Sequence, residues 1–299
     1  MKSDVFYWVL NLSLHGSLVC VLIWLLRLLR PIPRRVIYAL WIAPALRLTL
    51  PFAPSLPWSF MGLLRRLGAR TVTLPGGERI HTTNVIQAAD SYFPITYKTD
   101  ALQGLFETCA LIWAIGAAAC LLTMAVLYGM TRAELRGAKP LRPGIWISEK
   151  VVSPGLVGIL RPRILVPPGM EGQLLDYVEA HERIHRRRLD NLWRCLALGI
   201  CCLHWFNPAV WFSLKLFFAD MELSCDEAVI RKLPPRERKA YATALLSVAA
   251  GRDLFVSAFG GAKLRVRIER VLSYRRLTLG AALACAALTG AVLAVLASG

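Results

Sequence analysis

Four apolar runs constrain this chain before anything else does. Val5–Leu26, Val36–Ala53, Thr108–Met130 and Leu277–Ala297 are each close to or beyond the length an α-helix needs to cross a bilayer, about 20 residues. A chain with 56% hydrophobic residues and a mean hydropathy of +0.49 is too apolar for an ordinary soluble protein. Val5–Leu26 does not read as a signal peptide. Met1-Lys2-Ser3-Asp4 carries no net side-chain charge, the run is too long, and no small-x-small cleavage site follows.

The basic residues orient the runs. Arg27, Arg30, Arg34 and Arg35 follow the first run, which places that connector in the cytoplasm and the N-terminus outside. Residues 1–53 then hold two spans and residues 54–107 an outer loop, with a short amphipathic helix at Trp58–Leu67 and a hairpin around Gly76-Gly77. Residues 108–130 return inward. Residues 131–276 form a cytoplasmic block with 25 Lys and Arg against 14 Asp and Glu, and residues 277–299 make a fourth span with the C-terminus outside. The positive-inside rule and anionic lipid account for the net charge of +17, so no direct nucleic-acid contact is expected. The eight cysteines show neither a disulfide framework nor C-x-x-C spacing.

The chemistry lies in the cytoplasmic block. His181-Glu182-Arg183-Ile184-His185 puts two imidazoles four apart, on one helical face, with a carboxylate beside the first. Two neutral ring nitrogens can hold one Zn²⁺, and Glu182 is placed to take a proton from the attacking water. Leu174, Val178, His181, His185, Leu189, Leu192 and Leu196 recur at three-to-four spacing, which predicts one helix with the histidines on its buried stripe. The bland alternative is a helix with two ordinary histidines.

A catalytic zinc site wants a third protein ligand. Glu222 is the candidate, with Asp226 four residues on, on the same face, holding the free ring N–H of a ligating histidine. Without the upstream motif, this stretch reads as a solvated acidic helix start. His204 could donate to an oxyanion or serve as a buried helix contact. Gly144–Ser148 and Arg163–Val166 predict a sheet of two or three strands, which either caps the core or offers an edge to an extended substrate. Leu192–Phe218 predicts two helical arms broken at Phe206-Asn207-Pro208, sunk toward the bilayer.

Ser153-Pro154, Gly158, Pro162-x-Ile164-x-Val166-Pro167, His181-Glu182-x-x-His185, Arg188-x-Asp190, Trp205-Phe206-Asn207-Pro208 and Asp220-x-Glu222-x-x-Cys225-Asp226 occur in an order and spacing that resemble the integral-membrane zinc peptidases of the BlaR/MecR antirepressor type. The resemblance implies a mainly α membrane protein. Four transmembrane helices would carry a gluzincin-like α+β zinc protease domain, cytoplasmic and between spans three and four. It implies Zn²⁺ on His181, His185 and Glu222, Glu182 as the base, and Asp190, Asp226 and His204 around them. It implies an endopeptidase of the cell membrane that cleaves a protein substrate, such as a transcriptional repressor, in signal transduction. It also implies self-cleavage, for which Ala258–Phe259 is the candidate bond. The antibiotic sensors of that family carry a penicillin-binding domain after the fourth span. This chain is expected to be a sensor-less member, served by a separate sensor, a second copy of itself or the bilayer. A quality-control protease and a non-catalytic membrane scaffold are the competing expectations.

Overall fold

The computed structural model describes residues 2–28, 32–50, 70–73, 79–82, 100–250 and 264–274, with four single positions beyond 279. The helix expected at Trp58–Leu67, the bond Ala258–Phe259 and the fourth span lie outside the described residues.

The described protein is mainly helical with a small sheet. Helix α1 (Lys2–Leu28) holds the first apolar run. The second run, expected as one span, is two short helices, α2 (Arg34–Leu40) and α3 (Ile42–Thr49), which meet at Trp41. Strands β1 (Arg70–Thr73) and β2 (Arg79–Thr82) pair antiparallel, as a hairpin around Gly76-Gly77 requires. Helix α4 (Asp100–Glu134) holds the third run.

Among the described residues, two helices are long and apolar enough to cross a membrane, Val5–Leu28 and Gly104–Ala133. Only 11% of the most apolar window of Gly104–Ala133 is buried within the molecule, whereas the core helix of a soluble protein would be covered. Leu111, Ile112, Ile115 and Leu122 all point outward. Such a surface needs an apolar surrounding.

The sheet is larger than expected. Strands β3 (Lys139–Arg142), β4 (Ile145–Ile147), β5 (Gly155–Val157) and β6 (Arg163–Val166) lie in the order β3-β4-β6-β5. β4 and β6 run parallel; β5 pairs antiparallel with β6 and forms one edge. The sequence pattern missed β3 and β5 because Lys139–Arg142 is exposed throughout and Gly155–Val157 is only three residues long.

Helix α5 (Gly172–Arg188) carries the histidine motif and packs Leu175 and Val178 against the inner residues of the sheet, Ile145, Ile164 and Val166. It ends earlier than the apolar period predicts. Leu189 adopts a left-handed conformation, φ 55°, and a new helix α6 (Asp190–Leu203) begins at once. Leu189 and Leu196 are therefore exposed and do not continue the buried stripe. The break turns Asp190 inward, where it is fully buried.

Helix α7 (Pro208–Ile230) follows a four-residue turn. Asn207 sets that turn: its Oδ1 caps the helix by accepting from Ala209 N at 2.9 Å, Pro208 takes the first helical position, and Nδ2 donates to Ser13 and Ser17 of α1. The two arms and the break between them match the sequence pattern. Helices α8 (Arg238–Ala250) and α9 (Leu264–Leu272) close the far side against α5 and α7, around Tyr177, Val229, Tyr241 and Val271.

Candidate metal centre

Three side chains bring four acceptor atoms together where α5 crosses α7. His181 Nε2 lies 3.1 Å from His185 Nε2. Glu222 brings Oε2 to 3.5 Å from the first and Oε1 to 3.7 Å from the second. Donor atoms on a tetrahedral zinc are roughly 3.3 Å apart, given bonds of about 2.0–2.1 Å. The set fits such an ion in spacing and in chemistry.

The opposite ring nitrogens show why. His185 Nδ1 donates to Asp190 Oδ2 at 2.6 Å. Tyr241 of α8 spends its hydroxyl hydrogen on Asp226 Oδ1 at 2.8 Å, so its oxygen accepts from His181 Nδ1 at 3.0 Å. Asp226 Oδ1 stands 3.3 Å from the same nitrogen. With both Nδ1 atoms committed as donors, the neutral rings turn lone pairs toward each other and toward a carboxylate. Such a cluster of acceptors draws positive charge, which ring protons or a metal ion can supply beside the two arginines.

The electrostatics agree. Burial alone would lower the proton affinity of His185, but Cys225 and Glu222 beside it and its bond to Asp190 hold it up, to about 10. His181 is raised in the same way, against its burial, by Cys225, Tyr241 and Asp226. Glu222 is held well below the usual carboxylate range despite burial, by His185, His181, Arg267 and Arg194. The pocket favours positive charge, and the same anions that favour a proton favour a divalent ion.

Glu182 is 9% exposed and lines the same cavity, about 660 Å³, as His181, His185 and Glu222. Ser153 to Val157, including β5, form one wall. Asn191 donates to the carbonyls of Leu156 and Gly158, so that part of the strand edge already has a partner. Lys150, Val152, Ser153 and Pro154, just before it, line the same cavity.

His204 lies elsewhere. It is buried at the far end of α6, about 20 Å along that helix from Asp190, with Nε2 on the carbonyl of Leu48 at 2.9 Å. It ties α6 to α3 and cannot reach an oxyanion held between His181 and Glu222. Four neighbours were not foreseen as part of the site. Arg194 donates to Glu222 Oε1 at 2.7 Å, Arg267 reaches both Glu222 and Asp226, and Tyr241 bridges His181 to Asp226. Cys225, fully buried, is the fourth. It offers a sulfur within 4.8 Å of a donor atom on each histidine, and its thiol lies 3.3 Å from the His181 carbonyl oxygen. Its spacing, three residues after Glu222, was the available signal. For Arg267, 41 residues beyond Asp226, there was none.

The fold and this cluster can now be set beside known proteins. The family model for BlaR1 peptidase M56 matches residues 7–269. The chain belongs to that family. Among curated proteins, the Regulatory protein BlaR1 of Bacillus licheniformis is 31% identical over 102 residues, which is 33% of this chain and 17% of that protein. The Methicillin resistance mecR1 protein of Staphylococcus aureus is 26% identical over 103 residues, 33% of this chain and 18% of that protein. The matched region thus spans under a fifth of each relative. Membership places the chain among the M56 peptidases, and its two long apolar helices fit a membrane protein.

Proposed function

We propose that the protein is a membrane-embedded zinc endopeptidase of the cytoplasmic face that cleaves a cytosolic or membrane-proximal protein in signal transduction. The observation that carries this reading is the convergence of His181 Nε2, His185 Nε2 and the Glu222 carboxylate on one point, with both Nδ1 atoms held by partners and an open cavity alongside. Cys225 competes for the role of third ligand. We assign that role to Glu222, which faces the cavity, and place Cys225 behind it against the backbone of α5.

Zn²⁺, when bound, supplies a Lewis acid that polarises the scissile carbonyl and acidifies water. The protein's own groups do the rest. Glu182 takes the proton from water and passes it to the leaving amine. Asp190 and Asp226 orient the two imidazoles. Strand β5, on the cavity wall and at the edge of the sheet, is where an extended peptide would lie. Arg194, at the cavity wall, faces the same space. We favour a domain at the inner surface, with four spans and both termini outside; the basic connector and the exposed apolar helix Gly104–Ala133 support that reading. A transcriptional repressor is the substrate we favour, since relatives similar over about a hundred residues are named for regulation and for methicillin resistance.

Substituting Glu182→Gln tests the reading. Zinc content should be unchanged, and turnover should fall about 10²–10⁴-fold, the range for loss of a general base. Native cleavage by a zinc-loaded E182Q protein would remove Glu182 from the mechanism. Comparing the membrane and soluble proteomes of cells carrying native or E182Q protein identifies the substrate, and shows whether Ala258–Phe259 is cut.

A further inference from the structure

Arg267 lies on the side of α9 that faces α7 and is 5% exposed, while its helix neighbours Arg265 and Glu269 stand in solvent. Burying a guanidinium is costly unless its donors find partners. Arg267 meets Asp226 through two parallel bonds, Nε to Oδ2 at 2.7 Å and Nη2 to Oδ1 at 2.8 Å. That pair alone would satisfy the charge. The remaining Nη1 nevertheless reaches Glu222 Oε2 at 3.3 Å, and Nη2 stands 3.5 Å from His181 Nε2.

One planar group therefore touches the carboxylate that orients His181 and the carboxylate that faces both imidazoles. The fork geometry of arginine suits this, because its donors lie in fixed directions in one plane. Lysine, a point charge on a flexible stem, would hold one carboxylate but not set the angle between two. We infer that Arg267 is a positioning residue for the metal centre: it fixes Glu222 and Asp226 relative to each other, so that α9 completes a site whose other parts lie on α5 and α7. This rests on the metallopeptidase reading above. It makes α9 more than a packing helix, although α9 contributes no ligand. Metal affinity then depends on whether α9 is docked, and docking of α9 depends on whether the metal is bound.

The test uses the full chain in detergent or nanodiscs, with zinc itself as the probe. Zinc affinity is measured by competition with a chromophoric chelator for native, R267K and R267M proteins, and the visible spectrum of the cobalt-loaded forms reports ligand geometry. R267K should bind zinc about 10–100-fold more weakly, the range for loss of an outer partner of a metal ligand, with an altered cobalt spectrum and a near-native melting temperature. In the unmutated protein, zinc should slow amide exchange in residues 264–272 relative to chelator-treated protein. This second measurement needs no variant to fold. Native zinc affinity and cobalt spectrum in R267K and R267M overturn the inference, and so does exchange in 264–272 that ignores zinc. A doubly substituted H181A/H185A protein separates the two levels. If it binds zinc as the native chain does, the metal site itself is wrong. If it loses zinc while both Arg267 variants keep it, only the role of Arg267 falls.

Discussion

Helix α7 carries two carboxylates two residues apart, Asp220 fully buried and Glu222 12% exposed, that have opposite fates. At about 100° per residue, Asp220 and Glu222 point to nearly opposite sides of the helix, while Glu222 and Asp226 share a face. Asp220 faces α1 and α2. It accepts from Arg27 Nε at 2.7 Å, Arg27 Nη2 at 3.1 Å, Arg34 Nη1 at 3.1 Å and Trp41 Nε1 at 2.9 Å. Four donors match the roughly four lone-pair sites a carboxylate has, so this node is saturated. Glu222 has two arginine partners and turns its remaining capacity toward the Nε2 atoms of two imidazoles whose Nδ1 atoms are already committed. The first node fastens the membrane helices to the domain. The second leaves two ring nitrogens and a carboxylate converging beside a cavity, where a metal ion fits. Both carry the same charge and two arginines, and what separates structure from chemistry is that one is sealed by its donors while the other borders a cavity and two imidazoles.

The contrast is sharpest at Glu222 itself. Glu222→Gln keeps the side chain's shape and removes its charge. Zinc affinity should fall by more than the roughly 100-fold seen at the upper end for outer partners, and cleavage should drop to background. The melting temperature of the metal-free protein should stay near native, because Arg267 keeps Asp226. Equilibrium dialysis and calorimetry would show it. A variant that holds zinc tightly would hand the third-ligand role to Cys225.

Asp220→Asn should give the mirror image. Breaking a buried pair leaves charge without a partner, at about 3–5 kcal/mol, and here two arginines lose their acceptor. Denaturant or thermal unfolding should show that loss, while the molecules that remain folded bind zinc with native affinity. A specific fall in affinity at native stability would mean the two nodes are not independent.

These two residues also show what could be read in the sequence. The His181-Glu182-x-x-His185 spacing, Glu222 and Asp226 lie on helix faces that a period of 3.6 defines, so local pattern placed them. The breaks at Asn207-Pro208 were legible for the same reason, since proline and asparagine act on their own backbone. Asp220 was present in the motif but carried no role. Its meaning depends on Arg27 and Arg34, almost two hundred positions away, which a charge rule assigns to lipid. The structure shows Arg27 and Arg34 paired to Asp220 and Arg35 to Glu227, so part of the basic connector is a protein contact as well as a topology signal. Tyr241 and Arg267 went unread because neither lies in a pattern with the histidines. Of the two roles open to His204, the buried helix contact is the one the structure shows, since a helix of 14 residues carries it away from the metal centre.

Asp190 stands between the two kinds of node. It accepts from His185 Nδ1, and also from Tyr38 of α2 at 2.9 Å and Arg188 at 3.3 Å. Asp190→Asn keeps the size of the side chain and loses its charge. It should lower zinc affinity about 10–100-fold, equivalent to roughly 1.4–2.7 kcal/mol, and weaken the contact with α2 by a smaller amount. Chelator competition on the purified chain measures the first. If affinity is unchanged while stability falls, Asp190 belongs with Asp220 as a fastener and not with the metal centre.

The smallest effect is expected at the joint that makes Asp190 available. Leu189 sits at φ 55°, in a region costly for a branched side chain, and it is 42% exposed, so little burial compensates. Its N–H still bonds to the Arg186 carbonyl at 3.3 Å, closing α5 while the next residue turns inward. Leu189→Gly relieves the backbone but adds freedom to the unfolded chain, so the two terms oppose each other. The net change should be under about 1 kcal/mol and stabilising, because the left-handed conformer is itself worth 1–2 kcal/mol to glycine. Zinc affinity should not move, since Asp190 and His185 keep their places. A drop in affinity with a gain in stability would show that the strain at Leu189 presses Asp190 onto His185, and would place the joint within the metal centre.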